Sequence, residues 1–209
     1  MSVQEIFRGD EQLAAAVGQP APPFELRSVQ GQTIRLADYY DQRRLVLWFS
    51  RGFQCHFCRG NMERISAGYE ALVAHDIELV QVAPNLPEAA QIFFADDLPI
   101  YPFICDPDKR LFAVYGLGDE GILSAARNTI ISLVDANRVG EAEKSRWALQ
   151  LEAGNRTFLQ KLHHHALTAV EQGIFIIDQQ GIIRYRMKAG SIEAIPTAQE
   201  LLQLALALT

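Results

Sequence analysis

Cys55 and Cys58 stand one helical turn apart in Arg51-Gly52-Phe53-Gln54-Cys55-His56-Phe57-Cys58-Arg59. Thiols at that spacing on a helix face the same side, at a range a disulfide can bridge. The apolar run Leu45-Val46-Leu47-Trp48-Phe49 leads directly into them, so the pair opens a helix after a buried strand. A thiol in a first helical turn meets unpaired backbone N–H groups and the positive end of the helix dipole. Both favour the thiolate, which is the nucleophile. These residue types in this place point to redox chemistry. Two other readings stand beside it. Zinc usually takes four ligands, and the chain has no second Cys-x-x-Cys to complete a site. Free cysteine is also among the most buried residue types, so the pair could be inert core.

His56 lies between the cysteines, and its imidazolium would stabilise a neighbouring thiolate. Cys105, at the end of an apolar segment, reads as a small buried hydrophobe. His163-His164-His165 resembles a metal tract, but consecutive helical residues diverge by about 100° each, so a polar helix face is the better reading. Gly116-Leu117-Gly118-Asp119-Glu120-Gly121 fits G-x-G-x-x-G literally. It follows a predicted helix and not a strand, so the phosphate-cradling context fails. Trp48 and Phe49 read as core.

The elements that must position the dithiol follow from periodicity. Arg44 to Phe49 is near-continuously apolar, as in a strand buried on both faces of a sheet. Cys55, Cys58, Met62, Ile65, Tyr69 and Leu72 mark one helical face after it. Ile77 to Ala83 is a second strand, Pro87 to Asp97 a helix with proline at its first position, and Ile100 to Cys105 a third strand. Asp106-Pro107-Asp108 opens a helix through Tyr115, stopped by Gly116. Upstream, Glu11 to Val17 forms a short helix, and Phe24 to Arg27 with Thr33 to Leu36 forms a hairpin. From Leu117 to Val170 the pattern is helical, with one helix around Ile130, Leu133 and Val134, another at Trp147 and Leu151, and a third through Phe158, Leu162 and Ala166. A second hairpin pairs Ile174 to Ile177 with Ile182 to Arg186. The last helix starts at Thr197, with Glu200 completing a capping box.

Parallel β-α-β units closed by an antiparallel hairpin and a final helix build a three-layer α/β sheet. Functional loops in such folds lie at the carboxyl ends of the parallel strands, where Cys55 sits. The 209 residues, 49% hydrophobic, suit one globular domain. The net charge of −6, with no basic stripe, argues against a nucleic-acid partner. No apolar run is long enough to span a bilayer, and the N-terminus lacks the pattern of a secretory signal. Cytoplasmic placement is the expectation. Three cysteines are not a disulfide framework, and in a reducing compartment Cys-x-x-Cys is catalytic or metal-binding.

Four stretches, in order, resemble the alkyl hydroperoxide reductase/thiol-specific antioxidant (AhpC/TSA) family, the peroxiredoxins and their relatives. They are Val17-Gly18-Gln19-Pro20-Ala21-Pro22-Pro23-Phe24-Glu25-Leu26; Val46-Leu47-Trp48-Phe49-Ser50-Arg51-Gly52 with Cys55-His56-Phe57-Cys58; Pro102-Phe103 with Asp106-Pro107-Asp108 and Tyr115-Gly116; and Gly173-Ile174-Phe175-Ile176-Ile177-Asp178 with Gly181-Ile182-Ile183-Arg184. The resemblance implies a single thioredoxin-like domain over residues 1–209. It would be an α/β/α sandwich with a central mixed sheet, an N-terminal β-hairpin, and residues 117–170 as a helical insertion before the last hairpin.

The resemblance also implies roles. Cys55 becomes the attacking cysteine that reduces a peroxide, and Cys58 the resolving one. The reductant would be an external dithiol such as a thioredoxin-like protein, with no metal or organic cofactor. A homodimer is a further expected partner, and the helical stretch is available as its surface or as a lid. Main-type members carry a proline and a threonine seven and three positions before the attacking cysteine, where this chain has Trp48 and Gly52. They also carry an arginine where this chain has Gln172. The threonine and arginine supply preorganised electrostatic stabilisation. Arg51 or Arg59 would supply positive charge from another direction, with the Gly52–Gln54 backbone. The departures keep two alternatives in view: a thiol-disulfide oxidoreductase of thioredoxin type, and a non-catalytic binding protein that retains the fold.

Overall fold

The computed structural model describes residues 15–119, 121–153, 170–190 and 194–208. The expected helix through Phe158, Leu162 and Ala166 lies outside the described residues, as do His163-His164-His165 and most of the short helix expected from Glu11.

β1 (Glu25–Arg27) and β2 (Thr33–Arg35) form the expected N-terminal hairpin. The main sheet has five strands: β3 (Arg44–Phe49), β4 (Ile77–Ala83), β5 (Phe103–Cys105), β6 (Gln172–Ile177) and β7 (Ile183–Ala189), in the spatial order β5-β4-β3-β6-β7. β3, β4 and β5 run parallel, whereas β6 and β7 are antiparallel to their neighbours. The sheet is therefore mixed, as expected.

β3 explains its own composition. Val46 and Trp48 point into one core, while Leu45, Leu47 and Phe49 point into the other. A central strand covered on both faces has no solvent side on which a polar residue would be comfortable. The first core is closed by α1 (His56–Ser66), α2 (Tyr69–Val73), α3 (Pro87–Phe93) and α7 (Ala198–Ala207). The second is closed by α4 (Arg110–Val114) and the β1–β2 hairpin, with Phe24, Ile34, Leu111, Phe112 and Tyr115 in contact with the sheet residues. Three layers result, the α/β/α arrangement of the thioredoxin fold. The capping box at the start of α7 is present in full: Glu200 N–H donates to Thr197 Oγ1 and Thr197 N–H donates to Glu200.

Several boundaries depart from expectation. The single helix expected from Cys55 to Leu72 is two helices. The chain breaks at Gly68, where a Cβ would lie 2.7 Å from that of Ala198 on α7, so α7 packs closely at the break. The helix expected to Asp97 ends at Phe93. The strand expected from Ile100 is short because Pro102 has no N–H to donate and joins the ladder through its carbonyl alone, accepting from Gln81. The helix expected from Asp106 starts at Arg110, because Lys109 adopts a left-handed φ of 54° and 106–109 forms a turn. Asp106 still caps that helix, accepting from the N–H groups of Arg110, Leu111 and Phe112.

Between α4 and β6 stand α5 (Ile122–Arg138) and α6 (Ala142–Ala153). They are the first two helices expected in the 117–170 stretch. Among the described residues, no helix is long and apolar enough to cross a membrane.

Candidate active site

β3 carries the chain to the carboxyl edge of the parallel strands, and residues 50–56 are all buried there. The loop is pegged from the sheet. Gln81 on β4 donates to Ser50 Oγ at 2.7 Å, and Ser50 Oγ accepts from Gly52 N–H at 3.1 Å. Gly52 has a φ of +85°, a region open chiefly to glycine. Cys55 is extended at the N-cap position and α1 begins with His56, which puts Cys58 in the first turn. Both thiols are free and buried.

The two thiols are pushed in opposite directions in their hold on the proton. The Cys58 thiol donates to the Cys55 sulfur, and this is the largest effect holding Cys55 below the ordinary thiol range. Burial opposes it; the charge of Arg51, the Cys58 backbone N–H and His56 reinforce it. Cys58, which keeps the proton, is pushed up by the same hydrogen bond, by burial and by the Cys55 charge. The arrangement offers a thiolate at the helix start with a protonated thiol beside it.

The other sequence-nominated residues fall around this pair. Arg51 is buried and close enough to favour the Cys55 anion. His56 is turned toward α5, with Nδ1 3.2 Å from Ser132 Oγ and Nε2 2.9 Å from Asp135 Oδ2. Arg59 is buried and directed elsewhere: it donates to the Phe53 carbonyl at 2.8 Å, to Glu141 at 2.8 Å and to Ser145 at 2.9 Å. Gln172 is buried at the start of β6 and donates to the Gly190 carbonyl at 3.0 Å. Cys105 is half-buried, and burial pushes its thiol up to about 12, assisted by Glu152 and Glu88. That environment suits a packing residue better than a nucleophile. The Gly116–Gly121 stretch links α4 to α5, with Gly118 N–H donating to Glu171, so no strand precedes it.

Residues not nominated from the sequence complete the surroundings. Asn85, just past β4, reaches Phe53 and Gln54 in the loop and Glu152 on α6. Its place at the carboxyl end of a parallel strand, the same edge as Cys55, was the available signal. Glu152 follows Ser145 and Ala148 on one buried helical stripe, where a carboxylate is itself a flag. Phe53 stacks on Phe93 of α3 at 4.3 Å between centroids, and Phe93 stacks on Trp147 of α6 at 5.3 Å. Between α1, the 93–100 segment and Lys144 of α6 lies a cavity of about 540 Å³, lined by apolar residues such as Met62, Phe93 and Phe94 and by the charged Glu63, Asp97 and Lys144. Neither Cys55 nor Cys58 lines it.

A Cys-x-x-Cys at the start of the helix after the central strand of a mixed sheet defines a dithiol protein of the thioredoxin fold. Residues 17–139 match the AhpC/TSA family model, and the chain belongs to that family. The match takes in α5, whereas β6, β7 and α7 lie beyond it.

Among solved structures, Enterococcus faecalis AhpC superposes with a TM-score of 0.62 at 14% identity, covering 92% of each chain. The reduced Plasmodium vivax 2-Cys peroxiredoxin superposes with a TM-score of 0.60 at 13% identity, over 91% of this chain and 80% of that one. These likenesses establish the fold. Among curated proteins, a prostamide/prostaglandin F synthase of Salmo salar is 37% identical over 60 residues, 29% of this chain and 30% of its own. Thiol-disulfide oxidoreductase ResA of Geobacillus thermodenitrificans is 27% identical over 109 residues, 52% of this chain and 62% of its own. The chain thus spans less than two thirds of either curated relative.

Proposed function

We infer that this protein is a thiol-dependent oxidoreductase that reduces a peroxide through Cys55. What supports the reading is the match of residues 17–139 to the AhpC/TSA family together with the place of Cys55 at the N-cap of α1, where Cys58 and Arg51 favour its thiolate. The Cys55 thiolate attacks one oxygen of the O–O bond. The bond breaks, the other oxygen leaves as alkoxide or hydroxide and takes a proton, and Cys55 becomes a sulfenic acid. Cys58 then condenses with it, forming the Cys55–Cys58 disulfide and releasing water. An external dithiol reduces the disulfide, is itself oxidised, and returns both thiols.

Stopped-flow mixing of the reduced protein with hydrogen peroxide tests this, followed by mass spectrometry. The expected result is oxidation well above the rate of free cysteine, with Cys55 joined to Cys58. In Cys58→Ser the sulfenic acid should accumulate at Cys55. Oxidation no faster than free cysteine overturns the peroxidase reading.

A second reading, exchange with a disulfide substrate, is favoured by Gly52. A side chain there would meet Asn85, with Oδ1 1.8 Å from an ideal Cβ, so the loop has no room for the threonine of main-type peroxiredoxins. In this case the same thiolate attacks a disulfide sulfur and Cys58 resolves the mixed disulfide. Trapping a mixed disulfide between Cys58→Ser and a model disulfide, with slow peroxide oxidation, would decide for it.

A further inference from the structure

Asn85 is fully buried at the end of β4, and both ends of its carboxamide are engaged. Oδ1 accepts from Phe53 N–H at 3.4 Å and fills the space beside Gly52. Nδ2 donates to Gln54 Oε1 at 2.6 Å and to Glu152 Oε1 at 2.8 Å. A carboxamide can turn over and exchange its oxygen and nitrogen, so something must choose its orientation. Glu152 does so, because an ionised carboxylate has acceptors only and must face Nδ2. Its two oxygens also lie 3.3 Å from Leu86 N–H, again as acceptors. With Nδ2 assigned to Glu152, Oδ1 is left facing the loop, where the Phe53 N–H requires an acceptor.

Glu152 is 1% exposed, and burying a carboxylate is costly unless its hydrogen bonds are made. An apolar residue would pack at this position on α6 more cheaply. What the carboxylate adds is direction, and the group it directs is in contact with the residues between Arg51 and Cys55.

We propose that Asn85 is the positioning residue of the dithiol loop, and that Glu152 on α6 sets its orientation. The juxtaposition is Glu152, Asn85, and the Phe53–Gln54 segment that separates Arg51 from Cys55. Pegged at Gly52 by Ser50 and at Phe53 and Gln54 by Asn85, the loop holds the Arg51 charge at a constant distance from the Cys55 sulfur. The inference rests on Cys55 being the attacking thiol, and it is indifferent to whether the substrate is a peroxide or a disulfide.

The experiment is the pH profile of Cys55 alkylation by iodoacetamide, read by peptide mass spectrometry on the reduced full chain. Wild type, Asn85→Ala and the near-isosteric Glu152→Gln are compared, with thermal unfolding alongside. Both variants should move the midpoint upward. On the acid side of the wild-type midpoint, a move of about half a unit lowers the rate roughly threefold and leaves the alkaline rate unchanged. A role in packing alone lowers the unfolding temperature and leaves the profile where it was. Profiles that coincide with a reactive wild type overturn the inference, whatever happens to stability. If Asn85→Ala does not fold, Glu152→Gln decides by the same criterion. A wild-type Cys55 that titrates as an ordinary thiol overturns the underlying assignment of Cys55 and the inference with it.

Discussion

His56 Nε2 stands 2.9 Å from Asp135 Oδ2, which joins the residue beside Cys55 to the last turn of α5. With Nδ1 at 3.2 Å from Ser132 Oγ, both ring nitrogens are engaged on one helix. Arg59 makes a second link, from the Phe53 carbonyl to Glu141 and Ser145 at the start of α6. Glu152 makes a third through Asn85. The α5–α6 pair is thereby joined to the dithiol loop at three places, of which the Asn85–Glu152 link is fully buried. If the pair serves as a cover, access of reagents to Cys55 should depend on these links.

Asp135→Ala removes the outer link. A partly exposed charged hydrogen bond of this kind contributes about 1 kcal/mol, so opening becomes roughly fivefold more frequent. A bulky maleimide should then label Cys55 several times faster, with iodoacetamide affected less. Equal labelling of variant and wild type by both reagents would show that α5 does not control access.

Cys58 provides the largest effect on Cys55, so its replacement separates the causes. Cys58→Ala removes the donor and should raise the Cys55 midpoint, while Cys58→Ser keeps an O–H and should raise it less. Stability follows from the same shift. Across pH values from the lowered Cys55 midpoint up to about 8.5, where an unfolded thiol titrates, the native state binds fewer protons than the unfolded state. The Cys55 contribution is complete above that window and is lost as pH falls through the folded midpoint. Cys58 acts oppositely above about 8.5, where the unfolded thiol ionises and the native one does not. Thermal unfolding of the reduced protein should therefore gain on Cys55→Ser from acid pH to about pH 8 and gain no further beyond it.

Much of this was legible in the chain, and the reason differs by residue. β3 announced itself because Val46 and Trp48 face one core and Leu45, Leu47 and Phe49 the other, leaving no polar position to blur the run. The dithiol was legible because strand, turn and helix are contiguous in sequence. Asn85, Asp135, Glu141 and Glu152 were not, since each acts across a separation that only the folded topology closes. Arg59 shows the same limit from the other side. Nearness in sequence suggested a charge for Cys55, whereas the helix directs the guanidinium to the Phe53 carbonyl and to α6. The break at Gly68 depends on Ala198, far along the chain, and no local pattern contains it.

Arg59→Lys tests the second link. Lysine carries the charge but lacks the planar fork that serves the Phe53 carbonyl, Glu141 and Ser145 together. Because Glu141 is 42% exposed, the ion pair itself contributes little. The loss should come from the buried carbonyl and hydroxyl, at about 2 kcal/mol. Urea unfolding should show a lower midpoint with an unchanged slope. The alkylation profile of Cys55 should move less than in Asn85→Ala, because the Asn85 hydrogen bonds to Phe53 and Gln54 remain in place.

Gly52→Thr installs the threonine of main-type peroxiredoxins, and it should not create a better peroxidase. The position has a φ of +85°, where a β-branched residue is strained. Its Cβ would also fall 1.8 Å from Asn85 Oδ1, a clash with a buried group already held by Gln54 and Glu152. Strain and displacement together should cost on the order of 3 kcal/mol, with the Asn85 hydrogen bonds lost as well. Asn85→Ala in the same chain removes the clash and leaves the backbone strain, so the double variant should be more stable than the two single losses summed. Stopped-flow peroxide oxidation of the double variant then asks the chemical question directly. A rate above wild type would mean that the threonine can act in this loop once Asn85 is gone. The expected rate is below wild type, because the residue that holds Phe53 and Gln54 beside Cys55 is the one removed.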